Sequence, residues 1–106
     1  MEPVTLPLEE FWKWLAGHYN CIVRAGTHDA VLYDDEDLHW HLIGEGGETR
    51  VVQLVRGKRL LGELLIEPDR VTYVEGVPGD GEEEYIFELI WEDARDRVST
   101  CFFVLA

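Results

Sequence analysis

The sequence predicts an α+β fold that is mainly β. One N-terminal helix packs on a curved, mostly antiparallel meander sheet of about seven to eight strands, enough for the sheet to curl or close into a small barrel. Three observations predict this. Helical spacing is confined to the start of the chain, two-residue alternation takes over from Asn20, and turn-forming residues recur at short intervals after that.

Leu8, Phe11, Trp12 and Leu15 fall at i, i+3, i+4 and i+7, one stripe of a helix. Pro7 suits the first turn, where its missing N–H has no helical partner, and Thr5 is the better chemical candidate for the cap. Glu9 and Lys13 are spaced to pair on the wet face, and Gly17 is the expected stop. Trp14 lies off the stripe, so it either widens the buried face or touches a partner.

Strands are expected at Cys21–Ala25 and Asp29–Tyr33, joined near Gly26-Thr27. Four consecutive acids, Asp34 to Asp37, resist burial and form a solvated turn before a third strand, Leu38–Ile43. After the Gly44–Gly47 turn, Thr49–Val55 and Arg59–Glu67 make a hairpin with Gly57 at a left-handed position. Pro68-Asp69 starts a tight turn before Val71–Glu75, and Gly76 to Gly81 is expected as a loop with an acidic approach, Glu82 to Glu84. Tyr85 to Trp91 alternates well. Val98–Leu105 is apolar on both faces and is therefore expected at the centre of the sheet.

The 106 residues suit one domain, 1–106, able to bury a core without metals or disulfides. Twenty-two acids against nine Lys and Arg give a formal net charge of −13. That field opposes phosphate backbones and acidic membrane surfaces, so neither nucleic acid nor membrane is expected as a partner. With no apolar leader and no membrane-length apolar run, the chain is expected to be soluble and cytoplasmic, with Cys21 and Cys101 reduced. A Cys21–Cys101 bridge would need their strands to be neighbours.

The most specific cluster is His39-Trp40-His41 with Glu45 four residues on. Residues i and i+2 of a strand share a face, so two imidazoles and a turn carboxylate form a candidate site for a divalent metal. The spacing is similar to the first metal motif of cupin barrels over those seven residues. Tyr33 and Val52 stand where that motif expects glycine, and no histidine follows His41, so the chain is not assigned to that family. Leu38, Trp40 and Leu42 form the other, core-like face of the same strand, which places the histidines toward solvent. Ser99 lacks a nucleophile elbow, His28-Asp29 and His18-Tyr19 are isolated dipeptides, and the glycine turn carries an acid and no lysine, so no catalytic residue is assigned.

Charge distribution points further. Arg50, Arg56, Lys58 and Arg59 gather around one predicted hairpin on an otherwise acidic chain. Such a tip suits docking on an acidic partner or on a second copy, although cations at hairpin tips also protect sheet edges. The expectation is a non-enzymatic acidic interaction or adaptor module, binding a protein partner or itself as a homodimer, without an obligatory cofactor. The alternative is a β-barrel binding a small molecule or metal through His39, His41 and Glu45.

Overall fold

The computed structural model describes residues 3–79 and 83–106. The end of the predicted loop, residues 80–81, and the first residue of the predicted acidic approach, Glu82, lie outside them. Among the described residues there is one α-helix, α1 (Leu8–Ala16), and nine strands: β1 (Val4–Leu6), β2 (Ile22–Gly26), β3 (Val31–Tyr33), β4 (His39–Ile43), β5 (Arg50–Arg56), β6 (Arg59–Ile66), β7 (Tyr73–Pro78), β8 (Tyr85–Glu92) and β9 (Arg97–Leu105). Every pairing is antiparallel.

The fold is α+β and mainly β, as expected, but the strands do not close into a barrel. They divide into a six-stranded sheet, ordered β1-β7-β8-β9-β2-β3, and a three-stranded sheet, β4-β5-β6. β9 sits centrally between β8 and β2, which explains why both its faces are apolar. The inner faces of the two sheets and the apolar stripe of α1 share one core, with Phe11, Leu15, Val52, Val74, Leu89 and Phe103 fully shielded from water. Two indole N–H groups tie the layers. Trp40 donates to the Ile22 carbonyl at 3.1 Å and Trp12 to the Gly44 carbonyl at 2.9 Å, so both rings are buried without an orphaned donor. The sheets approach closely at Gly62, where an added Cβ would stand 2.3 Å from Cδ2 of Leu32.

Several local expectations change. Pro7 is the N-cap, not the first helical residue. Its carbonyl accepts from the Phe11 N–H at 3.1 Å, and no side chain caps the helix. Thr5 instead belongs to β1, paired with Glu75 of β7. β7 runs on to Pro78, beyond the predicted Glu75, because β8 supplies a partner as far as Tyr85. Pro78 lies past the end of β1, so its missing N–H breaks no ladder. Between Leu89 and Ile90 the register shifts against β9, and both residues are fully buried. Simple alternation through Trp91 therefore stops one turn of the pleat early. Gly57 has φ 59°, as the hairpin requires.

The cysteines are free. Cys21 ends a 3-10 turn just before β2, which neighbours the β9 strand of Cys101, but the Ala106 N–H bonds to the Cys21 carbonyl at 3.0 Å, while Cys101 pairs with Leu89. Five residues of strand, about 16 Å, separate the two positions, too far for a bridge. No described helix is long and apolar enough to cross a membrane.

Candidate functional site

The small sheet turns its outer face to solvent, and its residues can be read row by row from the register. Ile43, Val51 and Leu65 form one cross-strand row, and His41, Gln53 and Glu63 the next. Ile43 and Leu65 are 48% and 63% exposed, so the first row is an open apolar strip. In the second row Gln53 donates to Glu63 at 2.8 Å. At the hairpin end, Leu60 and Leu61 are also exposed beside a register shift that leaves Leu61 without a partner on β5. Arg56, Lys58 and Arg59 stand exposed at the tip, and none makes an ion pair among the described residues.

Arg50 leaves this group. It begins β5 at the end remote from the tip and points inward, with no exposed surface. Its guanidinium donates to the Glu9 carboxylate and to the Glu48 carbonyl, and lies 5.6 Å from the Trp12 ring centroid. Glu9 thus pairs with Arg50 and not with Lys13. The sequence spacing grouped Arg50 with the tip, but strand alternation aims it at the helix: its neighbours on that face are Val52 and Leu54, both buried. An arginine there holds α1 on the small sheet through charge, a hydrogen bond and ring contact.

His39 and His41 are exposed on β4 while Trp40, between them, is 3% exposed and points into the core. The two imidazoles line one side of a shallow groove facing Tyr19 and Asn20. Glu45 lies exposed in the following turn. Among the described residues no three His, Cys, Asp or Glu side chains come together as a metal-binding group.

A second surface, which the sequence does not outline, lies where α1 meets the large sheet. Trp14, off the apolar stripe and 40% exposed, closes one wall of a cup of about 390 Å³. Tyr85 and Phe87 form a second wall, with ring centroids 5.4 Å apart, and Phe87 lies 5.2 Å from Trp14. Val4, Leu6 and Leu105 complete the apolar lining. His18 stacks on Trp14 at 4.2 Å, and its Nδ1–H donates to the Trp14 carbonyl at 2.7 Å, fixing ring and backbone together. Gly76 lets Phe87 lie flat: an added Cβ would stand 2.7 Å from its Cε1. The signal available in the sequence was Trp14 alone, since the facing aromatic wall, Tyr85 and Phe87, comes from residues about seventy positions further on.

Comparison with known proteins adds nothing to this geometry: no family model, curated protein or solved structure matches the chain.

Proposed function

We propose that this chain is a non-enzymatic interaction module whose working surface is the outer face of the small sheet together with the β5–β6 hairpin tip, and that it binds a second copy of itself or another acidic protein surface. The observation that carries this reading is the coincidence of an open apolar strip, Ile43–Val51–Leu65, with three exposed cations, Arg56, Lys58 and Arg59, that make no ion pair among the described residues, on a chain of net charge −13. Apolar contact supplies area and the cations supply orientation toward an acidic partner. The exposed acidic turn Asp34–Asp37 offers a complementary patch on a second copy. A cytoplasmic setting agrees with two free cysteines. Metal binding through His39, His41 and Glu45 stays a secondary proposal, supported only by the shared face of the two histidines.

Sedimentation velocity over a concentration series tests this reading. The wild type should form a reversible dimer that weakens as salt rises. Arg56→Glu with Lys58→Glu should shift the equilibrium toward monomer, and Leu65→Lys should do so independently. A monomer at every concentration that also fails to bind an acidic protein column, or a dimer indifferent to all three substitutions, would reject the surface named here. Metal content of tag-free protein, followed by zinc and ferrous titration, tests the secondary proposal. It fails if Trp40 fluorescence does not respond.

A further inference from the structure

We propose that the cup between α1 and the large sheet is a binding site for hydrophobic ammonium compounds, in which an alkyl or aryl chain enters the apolar lining and the cationic head stays at the rim against aromatic faces and a carboxylate. The site is separate from the small-sheet face, and neither reading depends on the other.

Three features select this chemistry. The cup's volume, about 390 Å³, lies within the range of ligand pockets, which begin near 300 Å³. Its walls carry three aromatic rings, Trp14, Tyr85 and Phe87, whose faces attract cations. Glu83 lines the rim, and the whole chain carries a charge of −13, so an anionic amphiphile of the same size is repelled where a cation is drawn in. The ionisable side chains lining the cup are Glu83, His18, Cys21 and Tyr85, with His18 already committed through Nδ1 to the Trp14 carbonyl.

The cup also carries its own reporter. Cys21 lines it and is exposed, while Cys101, the other cysteine of the chain, is buried in the core. Alkylation by N-ethylmaleimide under native conditions therefore reads the cup. The test compares three probes of one length, 4-phenylbutylammonium, 4-phenylbutanol and 4-phenylbutanoate, on the full chain. Saturable protection of Cys21 is expected from the ammonium, at a concentration about tenfold or more below that needed for the carboxylate, with the alcohol between them. Trp14→Ala should abolish protection, and Glu83→Gln should narrow the gap between cation and anion. Peptides carrying lysine in an apolar context form a second arm: protection by the peptide but not by the free amine would assign the head group to a protein side chain, still within the proposed chemistry. No protection by any cation, equal protection by the carboxylate, or protection unchanged in Trp14→Ala would overturn the proposal. Folding of each variant is checked by circular dichroism.

Discussion

Arg50 shows how one residue can decide the placement of a helix. Its charge is fully buried, yet its partner Glu9 keeps a side chain 64% exposed. Removing the exposed partner leaves the buried cation unbalanced, so Glu9→Ala should cost about 1–3 kcal/mol, well above the few tenths expected of a surface glutamate. Urea denaturation measures this, and a loss below about 0.3 kcal/mol would show that the Glu48 carbonyl and Trp12 ring suffice. Cys101 supplies a pH signature at the same scale. Burial pushes its thiol from an ordinary 9.0 up to about 12. A pKa raised on folding means the folded state holds its proton longer than the unfolded chain. The stabilisation is complete below pH 9 and is lost progressively as pH rises from 9 toward 12. Between pH 8 and 10 the urea midpoint of the wild type should therefore fall more than that of Cys101→Val. Parallel curves would mean that the thiol is not desolvated. Asp93 shifts the opposite way. The backbone N–H groups of Asp96 and Arg95 hold its carboxylate below the usual range, so the stability it adds is present at neutral pH and fades on acidification through its folded pKa.

At the scale of elements, alternation carried most of the information. Trp40 inward with His39 and His41 outward follows from period two alone, and so does the pairing of β5 with β6 across Gly57. What alternation cannot carry is partnership between distant strands. The placement of β2 beside β9, and the division into two sheets, depend on contacts across some eighty residues that leave no local periodicity. β1 escaped because three residues are too few to alternate, and the bulge at Leu89/Ile90 because one unpaired residue on β9 resets the phase. The same limits apply to the site. The cations at Arg56, Lys58 and Arg59 were legible, Arg50 was misplaced by its proximity in sequence, and the cup was illegible because its walls come from α1, β1, β8 and β9. Two substitutions probe element packing. Phe87→Ala removes a ring that touches Phe11 at 4.9 Å between centroids and should destabilise by about 3–5 kcal/mol. Gly76→Ala drives a methyl into that ring and should cost about 1–3 kcal/mol while reshaping the cup. A near-neutral Gly76→Ala would mean that Phe87 moves aside without cost.

For the whole molecule, one layer supports and the other keeps its outer face open to solvent. The large sheet and α1 bury most of the core, and the small sheet offers its inner face to them and its outer face to solvent. A strongly acidic body repels its own copies in general, so the association proposed above would have to be directed, and the basic tip is the feature to which the proposal assigns that role. The most direct test is the concentration dependence of amide chemical shifts in the ¹⁵N-labelled full chain, followed from dilute to millimolar protein at low salt. The account predicts progressive shifts concentrated at Ile43, Val51, Leu65 and the Arg56–Arg59 tip, with a matching set in the Asp34–Asp37 turn. Spectra that stay unchanged over that range and on adding an acidic protein, or shifts confined to the large sheet, would contradict it.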